Sequence, residues 1–329
     1  MQLLHDRMRA LVLALVTATS AVVATGAGAQ AYPSKPITIV VPYSAGGSSD
    51  LMVRTVAKHL ADAWGENVII DNRPGASGMI GAENVSRAAP DGYTLLGTTS
   101  SYTGTVAIRK KLPFDAEKSF VPVALIGRAP QILAVHPSVP AKTVKQFVEY
   151  ARRNPGKLTY GSSGTGGNNH FSVALFANLA RVDLRHIPYK GIAPAVTALA
   201  SGEVDAAIAS QAALLPMIKA NRIRTIALTS PDTSSLIPGL PAIAKTGVPG
   251  YEYYLWWGLF APAGTPPDRV QALNAAVNKI LAKPEMKAFL ETQGAEATPT
   301  SAEKLADLLP REIARYRQIA KEAGMTPQS

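Results

Sequence analysis

Two short loops carry the residues whose types and spacing could do chemistry. The first is Tyr43-Ser44-Ala45-Gly46-Gly47-Ser48-Ser49-Asp50, which follows the apolar strand Ile37 to Val41. The second is Gly161-Ser162-Ser163-Gly164-Thr165-Gly166-Gly167-Asn168-Asn169-His170, which follows Leu158-Thr159-Tyr160. Each runs from a strand end through small residues into the start of a helix. Such a loop aims several backbone N–H groups in one direction, and the helix dipole adds positive potential there. The chemistry on offer is the holding of an anion. A plain helix cap accounts for the first loop as well, with Gly47 at the N-cap and Asp50 stabilising the helix start by about 0.3–1 kcal/mol. Asp50 repels an anion and is expected to hold loop N–H groups instead. The second loop also fits a flexible surface segment, although a run of glycines favours close backbone approach to a ligand. Taken alone, His170 fits a helix-start surface residue, Lys190 a solvated loop cation and Asp205 a cap on local backbone. The aromatic run Tyr251 to Phe260 fits a core strand or a cleft wall.

Enzyme signatures are absent. Gly161-Ser162-Ser163-Gly164-Thr165 fails the G-x-S-x-G elbow at its last position. Gly164-Thr165-Gly166 has Asn169 where a dinucleotide loop needs its third glycine, and there is no Gly-Lys-Ser/Thr phosphate loop. The histidines, at 5, 59, 136, 170 and 186, show no metal-ligand spacing and there is no cysteine. No cofactor, no metal and no catalytic group is expected.

The elements that position the loops read as alternating strands and helices. Val53, Val56, Ala57, Leu60, Ala61 and Trp64 form one apolar helical stripe after the first loop. Strands follow at 67–70 and 93–98, with a helix over 77–88 between them. The second of these strands again ends in small hydroxyl residues, Thr98-Thr99-Ser100-Ser101. Strand, helix, strand, helix, strand predicts a parallel sheet, and ligands of such sheets sit beyond the strands' carboxyl ends. Residues 121–135 read as one apolar passage into a second lobe of the same kind, built over 143–229. The run 251–260 crosses back, and helices over 267–282, 284–293 and 301–323 close the chain. The expected architecture is an α/β chain of two lobes with a hinge and an interlobe cleft. Lobe 1 is assigned to 30–128 and 230–329, and lobe 2 to 129–229.

The chain has 329 residues, long enough for two cores. Residues 1–29 read as a secretory signal peptide. Arg7 and Arg9 form its basic start, Ala10 to Ala24 its apolar run and Ala27-Gly28-Ala29 its cleavage site, with Ala29-Gln30-Ala31 as an alternative. The apolar run is too short and too rich in Ala, Thr and Ser for a membrane anchor. The absence of cysteine excludes disulfides and a lipidated-cysteine anchor. The net charge is +10, or +9 once Asp6, Arg7 and Arg9 leave with the leader. Basic residues are scattered, not clustered with aromatics, which argues against nucleic acid and is compatible with steering small anions.

Seen together, the motifs resemble the Bug family, the solute receptors of tripartite tricarboxylate transporters. The first loop with Val41 and Pro42 matches the family's P-[FY]-x-x-G-G-x-x-D pattern. Asn72 to Gly78, Pro90 to Leu95, Tyr160 to Gly164, His186 to Gly191, Gly202 to Asp205, Trp257-Gly258 and Ala261 to Pro266 match in the family's order, across essentially the whole mature chain. The resemblance implies a monomeric periplasmic receptor of the type II, Venus-flytrap kind. Its ligand would be a small carboxylate, handed to a membrane permease, with no nucleic acid involved. Carried onto this chain, Tyr43, Ser44, Ala45, Gly46, Gly47 and Ser48 would touch the ligand, with Asp50 organising them. Ser100 would join from the third strand end. Ser162, Thr165, Gly166, Gly167 and Asn168 would face them, with His170 at the helix start and Asp205 near the ligand's far end. Ala174, where the family often carries Glu, and the Gly191-Ile192-Ala193 loop depart from the pattern and leave the ligand preference open. A ligand-loaded sensor for a signalling kinase, or an exported enzyme on this scaffold, are the alternative readings.

Overall fold

Strand and helix alternate as the apolar pattern demands, and they assemble into two sheets. The computed structural model describes residues 32–325, so the expected signal peptide at 1–29 lies outside the described residues. From Lys35 onward the chain forms one compact unit. Its strands are β1 (Ile37–Val41), β2 (Val68–Asn72), β3 (Thr94–Thr99), β4 (Phe120–Pro130), β5 (Ile132–Val135), β6 (Thr159–Ser162), β7 (Arg185–Pro188), β8 (Ala206–Ala209), β9 (Arg224–Leu228), β10 (Tyr254–Pro262) and β11 (Glu296–Ala297). Its helices are α1 (Ser48–Trp64), α2 (Met79–Ser86), α3 (Ser100–Ile108), α4 (Val144–Arg153), α5 (Asn168–Ala180), α6 (Ile192–Ser201), α7 (Gln211–Lys219), α8 (Ile243–Thr246), α9 (Pro267–Leu281), α10 (Pro284–Thr292) and α11 (Leu308–Glu322).

The first sheet runs β11-β4-β10-β3-β1-β2 and the second β7-β6-β8-β5-β9. β1 is a β-branched run buried along almost its whole length, as a central strand should be. It pairs in parallel with β2 and β3, and β6 pairs in parallel with β7 and β8. The expected parallel order holds for these βαβ units. It fails elsewhere: β10 is antiparallel to both β3 and β4, and β5 is antiparallel to β8 and β9. Strands that return from the other lobe enter their sheet in reverse, so both sheets are mixed.

The apolar passage 121–135 is indeed continuous, but it divides at Gln131 between the two sheets. The return crossing falls at Tyr253–Tyr254, inside the run 251–260 expected to carry it, so the lobe boundary assigned at 230 comes too early. Ile243, Val248, Tyr251 and Tyr253 fill the core of the second lobe beside Val144, Phe147 and Phe176, so the segment from 231 to 253 belongs with that lobe. The two crossings are stitched together. Gln131 N donates to Thr229 Oγ1 (2.6 Å), Thr229 N to Gln131 O (2.9 Å) and Tyr253 N to Thr229 O (2.9 Å). Helix α11 spans both lobes. Leu308, Leu309 and Ile313 pack in the first core with Val106 and Phe260, and Tyr316, Ile319 and Ala320 pack in the second with Phe171 and Phe176. No helix among the described residues is long and apolar enough to cross a membrane.

Candidate functional site

Five helix starts meet in the cleft between the lobes. Each follows the carboxyl end of a parallel strand: α1 after β1, α3 after β3, α5 after β6, α6 after β7 and α7 after β8. The N-cap residues Gly47, Thr99, Gly167, Gly191 and Ser210 all line one cavity of about 420 Å³. Ser48 and Ser49 continue the lining at α1, Ser101 at α3, Asn168 and Asn169 at α5, and Ile192 at α6. Tyr43, Ser44, Ser77, Thr105, Gln131, Ser163, Gly164, Thr165 and Leu255 complete it. Not one lining residue is charged. The positive potential comes from helix ends, each equivalent to about half an elementary charge; at α3 and α7 one end donor is taken by the cap hydroxyl, Ser101 N by Thr99 Oγ1 (3.1 Å) and Ala213 N by Ser210 Oγ (3.4 Å), whereas Gly47, Gly167 and Gly191 have no side chain to do so. Two other grooves are of similar size, about 460 and 500 Å³. Size does not distinguish them from the cleft; the convergence of helix starts from both lobes does.

The two glycine loops are built to one plan. In each, the first glycine is left-handed (Gly46 and Gly166, both φ +80°). The second is an extended N-cap with no side chain to occupy the helix-end donors (Gly47, φ −75°, ψ 167°; Gly167, φ −71°, ψ 162°). In each, the side chain at the third helical position reaches back to the N–H of the first glycine. Gly46 N donates to Asp50 Oδ2 (3.0 Å), and Gly166 N donates to His170 Nδ1 (3.1 Å). This variant of the capping box fixes the turn and keeps side chains off the helix-end N–H groups, although in the second loop the N-cap's own N–H is spent on Gly164 O (3.1 Å).

Asp50 is buried and also receives Arg54 (2.8 Å) and Asn72 Nδ2 (3.0 Å). Burial alone would raise its carboxyl, but the Arg54 hydrogen bond, Gly46 N–H and Asn72 outweigh it and hold the group below the usual carboxylate range. His170 must be unprotonated at Nδ1 to accept from Gly166. Burial pushes it down to about 3, helped by the neighbouring His186. The two imidazoles stack at 3.8 Å between centroids, and burial pushes His186 down to about 4. His186 Nε2 is 2.6 Å from Ser162 Oγ, which in turn receives Gly164 N (3.1 Å). A neutral histidine pair therefore backs the second loop, where an ion-paired aspartate backs the first.

The structure brings together Tyr43, Ser44, Gly47, Ser48, Thr165, Gly167 and Asn168 of the expected contacts. Ala45, Gly46 and Gly166 form the turns but do not line the cavity, because their backbone is committed to shaping the loop. Asp50 makes the inward contacts expected of it. Ser100 is wholly buried at the lobe junction, where Asn168 Nδ2 donates to its Oγ (2.7 Å). Ser162 lies behind its loop on His186. His170 is not at the cleft, since its ring packs against His186 and Tyr160 beneath the loop. Asp205 is at the wrong end of the sheet. It accepts from Thr159 N (2.8 Å) and Thr159 Oγ1 (2.9 Å), joining the amino ends of β6 and β8, whereas the cleft lies at their carboxyl ends. Its role is the backbone cap. Ser210 could have been read from the sequence, because it follows a strand and begins a helix as Gly47 and Gly167 do. Gln131 and Thr105 carry no such signal.

Two α/β lobes joined by paired crossings, with a cleft at the strand ends, define the two-lobed periplasmic-binding-protein fold. A methylphosphonate-bound PhnD1 structure from Prochlorococcus marinus shares that fold at 11% identity (TM-score 0.52, covering 88% of this chain and 98% of that one). The sequence profile described as tripartite tricarboxylate transporter family receptor matches residues 52–325, and the chain belongs to that family. It is 31% identical to the protein BugT of Bordetella pertussis over 315 residues, 95% of this chain and 96% of that one. The structure of R. palustris Rpa4515 with adipate superposes with a TM-score of 0.82 at 36% identity, covering 90% of this chain and 100% of that one. MatC from Rhodopseudomonas palustris with bound malate gives 0.77 at 30%, covering 88% and 99%.

Proposed function

We propose that the chain is a periplasmic receptor that closes on a small carboxylate and delivers it to a membrane transporter of the tripartite tricarboxylate type. The observation that carries this reading is the uncharged cleft ringed by five helix starts. A carboxylate there would receive charge-assisted N–H hydrogen bonds without the desolvation of a paired lysine or arginine. The adipate and malate of the two similar structures are small acids of this kind, and family membership supports the transport partner. The first loop and α3 grip from one lobe; the second loop, α6 and α7 grip from the other. Closure draws its energy from the ligand's greater affinity for the closed state. Export by the signal peptide at 1–29 and action as a monomer complete the proposal, with no catalytic step. Tyr43, whose hydroxyl sits 3.2 Å from Thr98 Oγ1 and is pushed up by burial against the lowering of Thr98 and Thr99, stays protonated as a neutral donor. Native mass spectrometry of the gently purified protein tests the reading: a carried-over organic acid supports it, and failure of every small carboxylate to bind the protein in subsequent titrations refutes it.

A further inference from the structure

A groove of about 500 Å³ opens beneath the second glycine loop, outside the interlobe cleft. One face of α5 lines it, from His170 at the helix start to Arg181 just past its end. The walls are apolar: Ala174, Ala177, Val182, Leu184, Ala323 and Met325. Two polar side chains, each more than nine-tenths buried, also line it: Tyr160 (4% exposed) and His170 (7%). His170 Nδ1 accepts from Gly166 N (3.1 Å), so the neutral ring carries its proton on Nε2. Neither that Nε2–H nor the Tyr160 hydroxyl has a hydrogen-bond partner among the described residues, and neither atom is sealed inside the fold. Most buried polar groups are satisfied, so two open donors in one apolar groove point to an acceptor supplied from outside.

The exposed rim sets Arg181 against Asp183 and Glu322, the last also held by Asn178 Nδ2 (2.9 Å) and Gln318 Nε2 (2.8 Å). That balance offers no net attraction to an anion, and a cation would meet two donors at the floor. An uncharged molecule suits both ends. We propose that the groove is a second ligand site, taking a small uncharged molecule with an apolar body and a carbonyl oxygen that the Tyr160 hydroxyl and His170 Nε2–H receive. The same ring holds the N–H of Gly166 in the second loop. An acceptor on Nε2 makes Nδ1 a stronger acceptor in turn, so occupancy of the groove tightens the cleft. Only that coupling rests on the carboxylate reading above.

Acetophenone, toluene and benzoate are the probes, alike in body and different at the tip. Each is titrated at neutral pH into the mature protein carrying isotope-labelled histidine, and proton–nitrogen correlation spectra read the His170 ring. Acetophenone is expected to shift Nε2 saturably and to bind about fivefold tighter than toluene, the worth of one neutral hydrogen bond. Ala177→Leu fills the groove from a half-buried helix position and should abolish the shift while melting like the parent. Tyr160→Phe should narrow the gap between acetophenone and toluene. The coupling is read by calorimetry with the tightest cleft acid, whose Kd should fall when acetophenone is bound, by the same factor as the acid tightens acetophenone. Toluene binding as tightly as acetophenone overturns the assignment of the donors. Benzoate binding as tightly, in the parent but not in Ala177→Leu, overturns the uncharged class. No saturable shift, or one that survives in a folded Ala177→Leu, overturns the site. An acid Kd unmoved by bound acetophenone overturns the coupling and leaves the carboxylate reading standing.

Discussion

Gly47→Asp separates binding from folding. The backbone at Gly47 (φ −75°, ψ 167°) is open to any residue, and an added Cβ would meet only Ser44 O at 3.5 Å, an ordinary contact. Asp is among the best N-cap residues and is within a few tenths of a kcal/mol of Gly or better. Helix α1 therefore holds, and the melting temperature is expected to stay within about 2 °C of the parent, given roughly 2–4 °C per kcal/mol for a large domain. Binding fares differently. The new carboxylate accepts from the same helix-end N–H groups that the ligand would use, and each charged hydrogen bond lost is worth about 1.5–3 kcal/mol. It also places a negative charge about 4 Å from a bound carboxylate, which costs about 1 kcal/mol in bulk water and about 4 at an effective dielectric of 20. The loop is solvent-exposed, so the sum lies toward the lower values, near 3 kcal/mol or a hundredfold or more in Kd. Calorimetry with the tightest acid of a panel measures it. Gly47→Ala is the uncharged control and should retain most of the affinity. A Gly47→Asp protein that melts like the parent and keeps its Kd within threefold would refute the placement of the ligand at α1.

Other perturbations reach the same site from behind. Asp50→Ala should lower stability by about 1–3 kcal/mol, since it strands Gly46 N–H and Asn72, and should weaken ligand binding by loosening the first loop; denaturant melts and calorimetry read the two effects. Because Asp50 is held low in the fold, its contribution is full above the unfolded carboxyl pKa and is lost as pH falls through the lower folded value, so the acid limb of stability should flatten in Asp50→Asn. His170 and His186 act at higher pH. The unfolded chain takes up protons near 6.5 that the buried pair refuses until about 3 and about 4, so melting temperature should fall as pH drops from about 7 toward 4. His170→Asn should shallow that slope, and an unchanged slope would remove the pair as its source. A Cβ at Gly104 would lie 2.7 Å from Gly166 O and 3.0 Å from Phe171. Gly104→Ala should therefore push the second loop off α3, costing about 1–3 kcal/mol of stability by overpacking and a measurable share of affinity.

What the sequence reveals here depends on whether a residue acts locally. The two glycine loops and the helix starts behind them are legible, because strand, small residues and apolar helical stripe are contiguous. Helix α3 is not. Its sequence, Ser-Ser-Tyr-Thr-Gly-Thr-Val-Ala-Ile, is buried on nearly every side, so it shows no stripe, and its small and β-branched residues argue against a helix. Packing against both lobes makes it helical. His170 reads as a helix-start surface residue in sequence and is a buried ring in space, because β7 brings His186 beneath it. Asp205 has the right type and the wrong strand end, and only sheet register shows which end that is. Gln131 becomes visible only when two crossings are placed side by side. The return over 251–260 is legible, but the lobe boundary at 230 is not where the second lobe ends, because Ile243, Val248, Tyr251 and Tyr253 fill the second core before the strand turns back.

A crystal structure with a bound carboxylate tests the central claim most directly. The account predicts the carboxylate oxygens at about 2.7–3.1 Å from N–H groups at the starts of α1 and α5, with no lysine or arginine within about 4 Å. A carboxylate gripped by a guanidinium or ammonium, or seated in a groove away from these helix starts, would contradict it.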